Sequence, residues 1–126
     1  MGTADTSPDL SGRRVLVVED EMLVAIDYCH HLTAAGAEIV GPFTSVSQAL
    51  TSVDTGDIAV DVAVLDYALA DQTSDPLQAA LERRRIPFVV ITGYPRVLVR
   101  RAEDQQILTK PISPEALCET VKAACG

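Results

Sequence analysis

The chain has 126 residues, enough to bury one core but too few for two full domains. Apolar residues make up 48% and aromatics only 4%, so the core must be built from Val, Leu, Ile and Ala, and stacking of single-stranded nucleic acid on aromatic platforms is excluded as a main binding mode. A formal net charge of -8 repels DNA, RNA and anionic lipid, because affinity for such surfaces comes from counterions displaced by Lys and Arg; the expected partner is a protein or a cation.

Residues 1 to 12 (MGTADTSPDLSG) lack the charged-then-apolar pattern of a signal peptide and read as a flexible leader, with one domain over 13 to 126. Arg14 to Val18 is a short, continuous apolar run ended by acids, the pattern of a strand buried on both faces. From Glu21 to Ala35 the period becomes helical, with Val24, Tyr28, Leu32 and Ala35 on one stripe and Gly36 as a C-terminal stop. Glu38 to Gly41 follows as a second, short strand. Ser45, with Gln48 three residues on, has capping-box spacing and starts a helix towards Val53, and Thr55-Gly56-Asp57 supplies a turn.

Val60 to Leu65 is the third strand and delivers Asp66 at its end. A helix over Ser74 to Arg85 tolerates Pro76 in its first turn, and Arg83-Arg84-Arg85 at its end suits the negative pole of the helix dipole. Pro87 to Ile91 is a fourth strand, Arg96 to Glu103 a weak helix, and Gln106 to Thr109 a brief fifth strand. Ser113-Pro114-Glu115 then opens a last helix to about Ala124. Five βα units predict an α/β fold, a doubly wound five-stranded parallel sheet with helices on both faces. Cys29, Cys118 and Cys125 form no Cys-x-x-Cys pair, so reduced thiols in a cytoplasmic protein are expected, and no apolar run is long enough for a membrane span. His30 and His31, adjacent on one helix, face different directions and do not suggest a shared metal.

In open α/β sheets, chemistry collects beyond the carboxyl ends of the strands. Glu19, Asp20 and Glu21 follow the first strand, Asp66 the third, Thr92-Gly93 the fourth and Lys110-Pro111 the fifth. In a flavodoxin-like order 2-1-3-4-5 the first and third strands are neighbours, so Glu19, Asp20 and Asp66 converge. Two carboxylates repel by about 4 kcal/mol at ~4 Å and an effective dielectric of about 20, so a cation must offset them. Oxygen ligands with room for water suit Mg²⁺, and Lys110 offers a second positive charge. Glu21 reads more simply as a helix N-terminal acid.

With these residues in this order, the chain resembles a response-regulator receiver domain over about residues 13 to 124. The acidic pair after the first strand is matched by Glu19-Asp20 in VVEDE, the phospho-accepting Asp by Asp66 in VLDYAL, the Ser or Thr after the fourth strand by Thr92, and the Lys-Pro after the fifth by Lys110-Pro111. The resemblance implies Mg²⁺ bound by Asp20, Asp66 and the Ala68 backbone carbonyl, with Glu19 acting through a water, and a cis Lys110-Pro111 peptide. It further implies a phosphoryl group passed to Asp66 from a sensor histidine kinase, a switch rather than an enzyme, and output through an unknown downstream protein or as a phosphate sink.

Two positions depart from the family pattern. The usual aromatic switch residue is replaced by Ile107, whereas Pro87-Phe88 and Thr92-Gly93-Tyr94 resemble a subclass marked by a Phe-Ala-Thr-Gly-Tyr segment, with Val90-Ile91 in place of its Phe-Ala. Members of that subclass are commonly single-domain, so a stand-alone receiver is expected. Thr92 and Gly93 then form the switch loop, and Tyr94 stands as candidate replacement for the missing aromatic. A receiver-like module signalling by contact alone is the competing expectation. A flavodoxin would want hydroxyls and backbone donors where Glu19-Asp20-Glu21 stand, and an aspartate-nucleophile phosphatase a second Asp where Ala68 stands.

Overall fold

In the computed structural model, which describes residues 8–56, 58–93 and 106–125, the five apolar runs become parallel strands: β1 (Arg14–Val18), β2 (Glu38–Phe43), β3 (Val62–Asp66), β4 (Phe88–Thr92) and β5 (Gln106–Thr109). They form one sheet in the order β2-β1-β3-β4-β5, the flavodoxin-like arrangement expected. Four helices lie among the described residues: α1 (Met22–Ala34), α2 (Val46–Thr55), α3 (Asp75–Arg83) and α4 (Pro114–Cys125). The weak helix expected over Arg96 to Glu103 lies outside the described residues.

Strand alternation divides the core in two. Leu16, Val18, Ala63, Leu65, Phe88 and Val90 point to the face covered by α2 and α3, and Val15, Val17, Val62, Val64, Val89 and Ile91 to the face covered by α1 and α4. Both faces of each central strand are thus dry, which explains why the sequence showed unbroken apolar runs instead of alternation. Leu10 joins the α1/α4 side fully buried, and its N–H donates to the Ala35 carbonyl at 2.8 Å. The sequence alone places Pro8 to Gly12 in the leader; in the structure Leu10 packs as core, because the turn at Gly12 folds the chain back over the end of α1.

Strand β2 runs two residues further than the Glu38 to Gly41 expected from the sequence. Gly41 takes φ +105 and the Gly41–Pro42 peptide is cis, yet pairing with β1 resumes at Val18↔Phe43 after a register shift. Helix α2 begins as expected, the Ser45 hydroxyl accepting from Gln48 N–H at 3.2 Å. Helix α3 stops at Arg83, earlier than the sequence suggested, because Arg84 and Ile86 donate back to Leu81 and Arg85 adopts φ 58. The arginine cluster does end this helix, and it also reaches across to α2: Arg84 donates to the Asp54 carbonyl, and Arg83 lies 3.9 Å from the Asp54 carboxylate. No helix among the described residues is long and apolar enough to cross a membrane.

Candidate functional site

Because the strands are parallel, their carboxyl ends meet at one edge of the sheet. Asp66 is the last residue of β3 and Thr92 the last of β4, while Glu19-Asp20 directly follow β1 and Lys110 directly follows β5. With β3 between β1 and β4, Asp66 has the β1 acids on one side and Thr92 on the other. One oxygen from each of Glu19, Asp20 and Asp66 lies within 4.8 Å of the others. Lys110 Nζ approaches Asp66 Oδ1 at 3.2 Å and Oδ2 at 3.4 Å, and stands 3.9 Å from Glu19 Oε1. The Lys110 backbone N–H donates to the Thr92 carbonyl at 2.8 Å, and the Lys110–Pro111 peptide is cis.

Burial sets the electrostatics. Glu19 and Asp66 are only 1% and 5% exposed. Burial pushes the Glu19 carboxyl up to about 7, aided by the Asp66 charge and opposed by the Glu21 N–H that donates to Glu19 Oε2 at 3.0 Å. Asp66 is raised as well, by burial first, with Lys110 pulling against it. Burial also disfavours the Lys110 charge, but Asp66 and Glu19 outweigh it and hold the ammonium above its ordinary value. The buried Oε1 of Glu19 has no hydrogen-bond partner. A cluster of three acids that one lysine cannot neutralise, with an orphaned carboxylate oxygen turned into it, fits a hard divalent cation such as Mg²⁺.

The remaining expected residues fall around this centre. Ala68 lies exposed two residues beyond Asp66, in a loop closed by an Ala68↔Thr73 bridge. Thr92 is buried beside the centre. A Cβ on Gly93 would meet nothing within 4 Å, so the local packing itself does not demand glycine there. Ile107 pairs with Val90 and packs against the α2/α3-side core. Tyr94 lies outside the described residues. Glu21 is the N-cap residue of α1 and is exposed. The histidine rings, expected to diverge, in fact touch edge to face with centroids 5.2 Å apart, and His31 pairs with Asp27 at 3.2 Å. Among the described residues only Glu19, Asp20 and Asp66 gather as candidate metal ligands.

Two contributors were not foreseen. Tyr28, legible only as a stripe residue of α1, is buried with its hydroxyl pushed up by burial and by the charges of Glu19 and Asp66, so it lies within reach of the acid centre's field. Asp71 caps α2 from the loop after β3, accepting from Val46 N–H at 3.2 Å and Ser47 N–H at 3.4 Å. No local spacing announces such a contact, since its partners lie 25 and 24 residues away.

Solved structures share this architecture. A response regulator receiver protein from Sinorhizobium medicae superposes with a TM-score of 0.77 over 93% of this chain and 97% of its own, at 24% identity. The response regulator PhyR from Brucella abortus gives a TM-score of 0.74 at 26% identity, over 89% of this chain and 47% of its own. Among curated proteins, the transcriptional regulatory protein PdtaR of Mycobacterium tuberculosis is 30% identical over 115 residues, 88% of this chain and 54% of PdtaR. In sequence and in fold the chain is similar to response-regulator receiver domains. No family model matches it, and the chain spans about half the length of the curated relatives it matches. Its fold is that of a signalling switch in two-component systems.

Proposed function

We propose that this receiver domain accepts a phosphoryl group on Asp66 from a sensor histidine kinase in a Mg²⁺-dependent reaction, and signals as a stand-alone cytoplasmic module through protein contact or as a phosphate sink. The observation that carries this is Asp66 itself, a buried acid paired with Lys110 at 3.2 Å and flanked by the β1 acids. A carboxylate oxygen of Asp66 attacks the phosphorus of a phosphohistidine. The O–P bond forms as the P–N bond breaks, and the imidazole leaves once its nitrogen has taken up a proton. Asp20, Asp66 and the Ala68 carbonyl would hold Mg²⁺, with Glu19 acting through water, and the bound ion would supply positive charge against the phosphoryl oxygens.

Lys110 pairs first with Asp66 and then with the transferred group, so its charge never has to move far. The Thr92 hydroxyl turns to the new acceptor oxygens and draws the loop at Gly93 inward, with Tyr94 replacing the aromatic that Ile107 lacks. Shifting a two-state switch from 1:99 to 99:1 takes about 5.5 kcal/mol, and a hydrogen bond to a charged group gives about 1.5 to 3 kcal/mol, so about two to four new bonds suffice. Acetyl phosphate with Mg²⁺ should add one phosphoryl group to the intact protein, read by mass or gel retardation, and Asp66→Asn should abolish it. Absence of the shift with both a small donor and a kinase would favour a module that signals without phosphorylation.

A further inference from the structure

The acids of the site come from two separate segments, the turn after β1 and the end of β3 with its following loop; the last residue of β2 holds the first, and the first turn of α2, three residues further on, holds the second. On one side the Glu19 N–H donates to the Phe43 carbonyl at 3.0 Å, in the run-in to α2. On the other, Asp71 accepts from the Val46 and Ser47 N–H groups, and the Ser47 hydroxyl lies 3.4 Å from the same carboxylate. The loop that carries Asp71 is closed on itself: Ser74 N–H donates to the Tyr67 carbonyl at 2.8 Å, Leu69 N–H to the Gln72 carbonyl at 3.0 Å, and Ala68 bridges Thr73. Its tip is the part that Asp71 ties down. Val46 and Leu69 are buried in the same apolar cluster beneath the contact, so helix and loop are packed as well as hydrogen-bonded.

We propose that Asp71 is a positioning residue for the cation site: by capping α2 from the β3–α3 loop, it fixes the loop bearing Ala68 at a set distance from the turn bearing Glu19 and Asp20. This rests on the reading of the acid cluster as a Mg²⁺ site. Asp71 touches none of the three acids in the described contacts; it acts through the backbone. Desolvation works against its charge, but the two amides outweigh it and keep the carboxyl below its ordinary value, so it caps as an anion at neutral pH. Without Asp71, α2 keeps its Ser45 cap on Gln48 but no longer holds the loop tip, and the carbonyl at Ala68 loses its fixed direction while Asp66, within β3, keeps its place.

The test is calorimetric titration of the whole chain with MgCl₂, beside amide exchange. Asp71→Ala should weaken Mg²⁺ binding about fivefold, the size of one lost cap, and speed exchange at Val46 and Ser47 while β3 amides stay protected. Asp71→Asn, which removes the charge but keeps a capping oxygen, should bind within about twofold of the parent. Parental affinity in Asp71→Ala would overturn the proposal, as would equal weakening in both variants, which would mark a bulk charge effect. If Asp71→Ala loses β3 protection through unfolding, Asp71→Asn decides alone: parental affinity upholds the capping role and weakening rejects it. A parent that takes up no Mg²⁺, or binds it as well after Asp66→Asn, would overturn the metal site itself and this role with it.

Discussion

Glu19 shows how much a single buried acid can govern. Its side chain turns back into the protein, receives the Glu21 N–H on one oxygen and leaves the other without a hydrogen bond, 3.9 Å from the Lys110 ammonium. An unfolded glutamate titrates near 4.5, whereas the folded one is pushed up to about 7. Between those values the native state binds the extra proton, so stability must fall as pH rises through this window. Asp66 is shifted in the same direction and adds to the slope; Lys110, held above its ordinary value, stays charged throughout and contributes nothing to it. Urea titrations of the metal-free protein should therefore give a higher midpoint at about pH 5 than at about pH 8, and millimolar Mg²⁺ should raise the pH 8 value selectively, since a ligand of the native state stabilises it. A midpoint flat or rising with pH would contradict a Glu19 carboxyl raised by burial. The sequence announced three consecutive acids after β1 but not which would turn inward. Burial of Glu19, half-burial of Asp20 and exposure of Glu21 depend on what packs around the turn, and that is a tertiary property.

At the scale of elements, apolar runs named all five strands, and cap and turn residues named the helices on the described residues. Boundaries moved where a distant partner held the chain. Strand β2 outlasts its Gly-Pro pair because Phe43 has a β1 neighbour and an N–H donor waiting in Glu19. The cap supplied by Asp71 was illegible for the same reason, since it joins a loop to a helix that precedes it. Gly36, read as the stop of α1, turns out to be doubly constrained. Its φ is +104, and a Cβ there would come within 2.7 Å of Ser11 Oγ and 3.0 Å of the Ser11 backbone. Gly12 has φ +80 with open space around it. Both alanine variants should lose the backbone cost of about 1 kcal/mol, but Gly36→Ala should lose clearly more, about 2 to 3 kcal/mol, because the clash is added. Chemical denaturation of the two variants side by side checks this, and equal losses would mean that the Ser11 turn yields without resistance.

At the scale of the whole molecule, the sheet separates two apolar half-cores, and the chain ahead of β1 belongs to one of them. Leu10, fully buried against the α1/α4 side, was invisible in the sequence because one leucine among polar residues carries no period. Leu10→Ala should cost about 2 to 4 kcal/mol in urea unfolding, as for other buried leucines; a loss below about 0.5 kcal/mol, the usual limit for surface sites, would return this stretch to the leader. The sheet order, by contrast, was legible, since short βα units and right-handed crossovers leave few alternatives. That order also has a consequence for how the molecule is born. Lys110 reaches back 44 residues to Asp66, so a ribosome releases the crowded anions well before it has synthesised their counter-ion. Loops of that span close slowly compared with helices. Until β5 arrives, dissolved ions alone can quiet the repulsion, and the charge centre cannot come to rest before the chain has been made as far as Lys110.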